Sequence, residues 1–170
     1  MVNLNSKIYL AGHKGLVGSA ILRKLKKIGY KKIILCKKEK LDLTNQLEVY
    51  KFLKKNKPDF IFIAAAKVGG VLDNSSFKAN YITDNLLIQT NLIHGAHLNG
   101  IKNLIFLGSS CVYPKNCKQP IKEKYLLTGS LEETNDAYAI AKIAGIKMCQ
   151  SYNEQYGTNY RCLMPTSIWN

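Results

Sequence analysis

Ile8-Tyr9-Leu10-Ala11-Gly12-His13-Lys14-Gly15-Leu16-Val17-Gly18 is the stretch that decides how the rest of the chain is read. Four apolar residues bounded by Lys7 and Gly12 have the length and composition of a buried strand. An apolar helical pattern then runs through Ile28, and Gly29 ends it. Strand, glycine turn and helix follow in the order that a dinucleotide site requires. Gly12 permits the tight turn, Gly15 lets the backbone approach a pyrophosphate, and Gly18 allows close helix packing. The helix N-terminus adds free N–H groups and the positive end of a dipole for the phosphates. The spacing is G-x-x-G-x-x-G rather than G-x-G-x-x-G, so the strand-to-helix context carries the reading.

Outward from that turn, Lys32 to Cys36 predicts a second strand. In an NAD site an acidic residue at this strand's end holds the ribose hydroxyls. Here the end reads Cys36-Lys37-Lys38, with Glu39 slightly later and Lys14 in the glycine loop. Cations there suit a 2′-phosphate, which favours NADP over NAD. Asp42 is placed to accept from the adenine amino group. Thr44, with Asn45 as competitor, caps a helix from Gln46 to Lys55. Asp59 to Ala66 makes the third strand and runs into Ala64-Ala65-Ala66-Lys67-Val68-Gly69-Gly70, where small residues let a flat ligand approach. One long helix is expected from about Ser75 to Asn99, with Gly100 as its cap, and Asn103 to Leu107 supplies the fourth strand. After a loop from Pro114, Asn135 or Asp136 caps a helix from Ala137 to Tyr156, and Tyr160 to Met164 makes a fifth strand.

Alternating strands and helices predict an α/β fold, a doubly wound, Rossmann-like, mostly parallel sheet. Ligands then sit beyond the carboxyl ends of the strands, at the point where the winding reverses. The first and fourth strands are expected to flank that point. This brings together the glycine loop, the corner Gly108-Ser109-Ser110-Cys111 and the helix carrying Tyr138 and Lys142. Tyr138 and Lys142, four residues apart, share a helix face. An ammonium beside a phenol favours the phenolate, so the tyrosine pKa should fall and the group could exchange a proton with an alcohol or carbonyl oxygen. A serine in that corner can hydrogen-bond a substrate oxygen, and Cys111 can move protons or act as a nucleophile. His94 and His97 lie one helical turn apart but have no third ligand, so helix packing and no metal site is expected.

Composition excludes several classes. With 25 Lys and Arg against 11 Asp and Glu, the net charge is +14. The lysines are spread along the chain, arginine occurs only at Arg23 and Arg161, and no aromatic residues interleave with a basic stripe, so nucleic acid is not the expected partner. A positive field that attracts an anionic cofactor or substrate is. The longest apolar run, Phe60 to Ala66, is strand-sized, so no membrane span is expected. The N-terminus lacks signal-peptide features, and the 5 cysteines are scattered without a C-x-x-C pair, which reads as a reduced, cytoplasmic protein.

Four segments carry a closer likeness: Gly-His-Lys-Gly-Leu-Val-Gly-Ser-Ala-Ile from Gly12, Ala-Ala-Ala-Lys-Val-Gly-Gly from Ala64, Leu-Gly-Ser-Ser-Cys-Val-Tyr-Pro-Lys from Leu107, and Tyr-Ala-Ile-Ala-Lys-Ile-Ala-Gly-Ile-Lys from Tyr138. Together they resemble the extended short-chain dehydrogenase/reductases and, within them, the GDP-L-fucose synthase family. The resemblance spans nearly the whole chain, from the first strand to Pro165. It implies NADPH-dependent 3,5-epimerisation and 4-reduction of GDP-4-keto-6-deoxy-D-mannose by a homodimer that pairs through the helices near Asn80 to Asn99 and Ala137 to Tyr156. By motif, Tyr138 is the general acid at the C4 oxygen, Lys142 tunes it and holds the nicotinamide ribose, Ser109 binds the reacting sugar, and Cys111 is half of the epimerising acid/base pair. The implied cofactor contacts are Gly12, His13, Lys14, Gly15, Leu16, Val17 and Gly18; Lys38, Glu39, Lys40, Leu41, Asp42 and Leu43; Leu107, Gly108, Ser109 and Ser110; Lys142; and Pro165, Thr166, Ser167 and Ile168. The family reads Pro-Thr-Asn-Leu-Tyr-Gly where this chain reads Pro-Thr-Ser-Ile-Trp-Asn. Its second acid/base histidine and its substrate-binding domain follow that segment. The expectation is therefore a truncated NADP-binding Rossmann domain over residues 1–170, inactive alone, with a non-catalytic cofactor-binding or dimerising remnant as the alternative.

Overall fold

The computed structural model describes residues 3–166, so Ser167 and Ile168 lie outside the described residues. Its sheet has five strands, β1 (Ile8–Ala11), β2 (Ile33–Ile34), β3 (Phe60–Ile63), β4 (Asn103–Leu107) and β5 (Asn159–Leu163), in the order β2-β1-β3-β4-β5. Every pairing is parallel, with Ile8 opposite both Ile33 and Phe60, Ile61 opposite Leu104, and Asn103 opposite Asn159. Parallel neighbours need crossovers, and helices supply them. These are α1 (Leu16–Ile28), α2 (Gln46–Asn56), α3 (Val71–Ser76), α4 (Lys78–Leu98) and α5 (Asp136–Tyr156). The right-handed crossover rule puts α1 on one face of the sheet and α2, α4 and α5 together on the other, where α4 packs against both α2 and α5. No helix among the described residues is long and apolar enough to cross a membrane.

This strand order corrects the expected neighbours of the switch point. The winding reverses between β1 and β3, not between β1 and β4. The third strand lies beside β1, with Ile8 to Ala11 in register with Phe60 to Ile63. The corner after β4 therefore sits one strand farther from the glycine turn. The second strand is also shorter than read, at two residues, because Leu35, Lys37 and Lys38 are exposed.

Two local expectations change as well. The long helix breaks at Phe77, whose φ of −119° and ψ of 38° are not helical, so α3 and α4 are separate elements. Asn45 rather than Thr44 caps α2, its side chain accepting from the Glu48 N–H at 3.2 Å. Thr44 instead donates its hydroxyl to Asp42 Oδ1 at 2.8 Å. Gly29 and Gly157 cap their helices as read, both with positive φ, whereas Asn99 rather than Gly100 caps α4 and Gly100 follows it with positive φ.

The core lies between the sheet and the three-helix face. Leu53 and Val49 of α2, Leu92, Ile93 and Ala96 of α4, and Ile146 and Cys149 of α5 close over Ile61, Leu104 and Phe106. Each such aliphatic side chain contributes about 1.5–3 kcal/mol by leaving water. A close contact within this core is where α5 crosses the sheet. A Cβ on Gly145 would stand 2.5 Å from Phe106 Cζ and 2.9 Å from Gln89 Oε1, so only glycine lets the helix approach this far. Gly145→Ala should destabilise the fold by ~2 kcal/mol through overpacking, lowering the melting temperature by about 4–8 °C in thermal denaturation followed by circular dichroism. An unchanged melting temperature would mean that the α5–β4 contact is looser than described.

Candidate cofactor cleft and catalytic corner

The carboxyl ends of β1 and β3 open into a cleft of about 300 Å³. Its floor is built by three backbones in contact. Gly12, with φ of +85°, turns the chain out of β1, and a Cβ there would stand 2.5 Å from the Ala65 nitrogen. A Cβ on Gly18, in the first turn of α1, would fall 2.0 Å from the Gly12 carbonyl oxygen. Both glycines are thus demanded by the chain's own packing. Gly15 is different, since the nearest atom to its Cβ position is 3.5 Å away. Its openness leaves room for a ligand to meet the backbone. Gly15 is also the N-cap of α1, whose first turn carries no acidic residue. An anion at that end meets only favourable partial charge.

Of the residues expected at a cofactor, Gly12, His13, Lys14, Gly15, Lys38, Leu41, Asp42 and Leu43 line this cleft. His13 Nδ1 is buried there without a hydrogen-bond partner, a polar atom the protein itself leaves unsatisfied. Leu16, Val17 and Gly18 form the adjoining first turn of α1. Glu39 and Lys40 lie in a short 3₁₀ turn, Lys38–Lys40, beside a separate depression, not the cleft. Glu39 is held below the usual carboxylate range by its own backbone N–H and by Lys14, so part of the expected cationic field is already answered. Asp42 is likewise held low by the Thr44 N–H and hydroxyl, and stays an acceptor. The cleft also includes Tyr9, Cys36, Lys37, Thr44, Ala65, Ala66, Lys67, Asp84 and Ile88. Asp84 and Ile88 come from α4, and no sequence motif marked them. An apolar wall of Leu41, Leu43, Ala65 and Ile88 with an acceptor at Asp42 fits a purine. The lysines and the open helix end fit its phosphates, so the residues present suit a dinucleotide.

The second cluster lies at the end of β4. Ser109 begins the 3₁₀ turn Ser110–Val112, its hydroxyl accepting from the Cys111 N–H at 3.4 Å. Chain after β5 backs this corner: the Gly108 N–H donates to the Leu163 carbonyl at 2.8 Å and the Ser110 N–H to that of Pro165 at 3.2 Å, with Thr166 next in the chain. From α5, Lys142 reaches in, 3 % exposed, and donates to the Leu107 carbonyl at 2.7 Å. Its ammonium lies 4.6 Å from the Phe106 ring centroid and 5.7 Å from that of Tyr138. Lys78, in the first turn of α4, ties down the start of α5 by donating to the Glu133 carbonyl at 2.7 Å and to Asp136 Oδ1 at 2.9 Å. Ser109, Cys111, Tyr138 and Lys142 are thus gathered as expected.

The electrostatics are not as expected. Burial pushes the Tyr138 phenol up rather than down, and the nearby Cys111 adds to the rise. Burial also pushes Cys111 up, partly offset by Ser109 and Lys142. The lysine itself yields, its pKa lowered by burial to about 8. Desolvation outweighs the ammonium because the ammonium is desolvated too. Both acids therefore hold their protons at neutral pH. His94 and His97 are used in packing: His94 Nδ1 is 2.6 Å from the Tyr152 hydroxyl and His97 lies against Tyr156 at 4.1 Å between ring centroids. No cluster of three or more potential metal ligands occurs among the described residues.

A lysine whose folded pKa is lowered favours the unfolded state while it is charged. Below about pH 8 it is charged in both states and the penalty is complete; as pH rises towards 10.5 the folded state sheds its proton first and the penalty fades. Wild type should therefore gain about 3 kcal/mol on Lys142→Met across that window, read as the difference between their urea-unfolding free energies. Parallel curves would count against a desolvated ammonium.

Comparison with known proteins agrees with this geometry. Residues 8–169 match the model of the NAD dependent epimerase/dehydratase family. The chain is 53 % identical over 163 residues to a GDP-L-fucose synthase of Sinorhizobium fredii, covering 96 % of this chain and 52 % of that protein. It is 48 % identical over 163 residues to a GDP-L-fucose synthase of Escherichia coli, covering 96 % and 51 %. The fold superposes with a TM-score of 0.96 on a GDP-mannoheptose C4 reductase from Campylobacter jejuni with NADP bound, at 44 % identity, covering 99 % of this chain and 50 % of that one. The chain spans about half the length of these relatives.

Proposed function

Since this chain belongs to the NAD dependent epimerase/dehydratase family, we propose that it forms the NADPH-binding half of an enzyme that reduces a GDP-4-keto sugar. The substrate proposed first is GDP-4-keto-6-deoxy-D-mannose, giving GDP-L-fucose after epimerisation at C3 and C5, as in the two fucose synthases. The likeness to the heptose C4 reductase supports a second reading, in which the sugar is a GDP-4-keto-heptose. The observation that carries the proposal is the pairing of an anion-ready cleft at β1/β3 with a protonated Tyr138 beside a buried cation at β4.

Gly12 to Gly18 would hold the pyrophosphate, Asp42 the adenine amino group, and Lys37 and Lys38 a 2′-phosphate. When bound, NADPH supplies the hydride for C4. Tyr138, which keeps its proton at neutral pH, donates it to the C4 oxygen as negative charge develops there. Lys142 stabilises the resulting phenolate through its charge and, fixed on the Leu107 carbonyl, keeps the tyrosine helix in register with the corner. Ser109 hydrogen-bonds the sugar oxygen. Cys111 exchanges a proton at the carbons next to the ketone, whose acidity the 4-keto group raises. The exposed outer faces of α4 and α5, with Leu87, Leu98 and Ile140, would join two copies.

Titration of the purified chain with NADPH and NADH, followed by fluorescence, tests the cofactor half. NADPH is expected to bind at least tenfold tighter, and Lys37→Glu/Lys38→Glu should remove most of that preference while leaving NADH nearly unchanged. Equal binding of the two cofactors would refute the 2′-phosphate assignment. Adding the GDP-4-keto-hexose and then the heptose is expected to leave NADPH unoxidised by this chain alone; oxidation that Tyr138→Phe abolishes would show that the site is complete within it. Binding without reduction of either sugar would favour a cofactor-binding domain that does not turn over alone.

A further inference from the structure

The glycine turn has to rest on something, and it rests on the peptide that follows β3. Gly12 touches Ala64 and Ala65, and the Ala64 N–H donates to the Ala11 carbonyl at 3.0 Å. Beyond Ile63 this segment has left the sheet, and Ala65, Ala66 and Lys67 become a wall of the cleft. A segment with no ladder partner needs its backbone groups satisfied elsewhere.

Asn85 of α4 satisfies those of Lys67. It is 2 % exposed, and its side-chain oxygen accepts from the Lys67 N–H at 2.9 Å. Its amide nitrogen donates to the Lys67 carbonyl at 2.9 Å and to the Tyr81 carbonyl at 2.8 Å. One side chain thus reads both backbone groups of a single residue, as a neighbouring strand would, and spends its second N–H on its own helix. Aspartate has no donor for the two carbonyls, and glutamine is one methylene too long for the same reach. The Lys67 side chain adds an ion pair to Asp84 at 2.7 Å, but both groups there are more than a third exposed, so this contributes little.

We propose that Asn85 is the positioning residue of the cofactor cleft: by clamping both backbone groups of Lys67 it fixes the wall that supports the glycine turn. It touches no ligand and acts through the Ala64–Lys67 segment. Its effect on NADPH rests on the cofactor reading above, whereas its effect on the wall does not.

The test measures two quantities on the full chain, NADPH affinity at a temperature well below unfolding and hydrogen exchange of the Lys67 amide by NMR. The variants are Asn85→Ala and the same-sized Asn85→Asp, with Ile101→Ala, buried at the opposite end of the sheet, as a control for lost stability. Expected are roughly tenfold weaker NADPH binding and faster Lys67 exchange in Asn85→Ala, weaker binding in Asn85→Asp, and wild-type affinity in the less stable Ile101→Ala. Wild-type affinity in both Asn85 variants, or the same affinity loss in Ile101→Ala, overturns the proposal. If wild type itself binds no NADPH, the cofactor reading fails, and exchange alone decides: faster exchange in Asn85→Ala supports the clamp, and unchanged exchange overturns it.

Discussion

Everything at the carboxyl end of this sheet depends on three backbones meeting at one point. The turn at Gly12, the first turn of α1 at Gly18 and the peptide of Ala65 approach so closely that no side chain fits between them. Van der Waals contact of this kind has no tolerance, so each partner fixes the other two. The strand end aims the turn, the turn sets where the helix dipole points, and the peptide after β3 closes the far side of the cleft. The cleft is therefore a by-product of how two crossovers leave adjacent strands in opposite directions.

How much of this was legible in the sequence follows from where the information sits. Gly12, Gly15 and Gly18, the end of α1 at Gly29, and the run from Tyr138 to Lys142 depend on residues a few positions apart, and their placement on turn and helix was legible. The neighbour of β1 was not, because β3 and β4 carry the same alternating burial and the choice between them rests on contacts far apart in the sequence. The break at Phe77 was hidden for a similar reason: nothing in Ser76-Phe77-Lys78 stops a helix, and its end is marked only by backbone angles outside the helical range. Asp84, Ile88 and Asn85 escaped notice because they serve the cleft from a helix that carries no motif. Asn85 is one of three buried polar residues on α4, with Gln89 and Asn91, so the sequence offered no signal that singled it out.

The candidate catalytic corner shows why a motif does not determine its own electrostatics. Four residues of separation put Tyr138 and Lys142 on one face, and a solvated ammonium there would lower the phenol's pKa. This ammonium is almost wholly buried, bonded to one carbonyl and facing the Phe106 ring. The cost of removing water from it appears in its own pKa, and the phenol, also buried, keeps its proton. An acid that holds its proton until an oxyanion forms suits reduction of a ketone. The net charge of +14 acts at longer range, drawing anionic ligands towards a surface where few acidic groups compete.

The all-parallel sheet has a consequence for how the chain is made. Ile8 first meets a partner at Ile33, and that partner strand is two residues long. The four-residue partner of β1 begins at Phe60, and the last of the five described strands begins at Asn159. No two neighbouring strands are joined by a hairpin, so no piece of this sheet can form from local contacts. During synthesis the apolar β1 must wait for β3 to leave the ribosome, and β4 must wait for α5 to be finished. The nascent chain thus passes through a long interval in which Leu10 and Ala11 have no strand partner and one edge of β1 stays open.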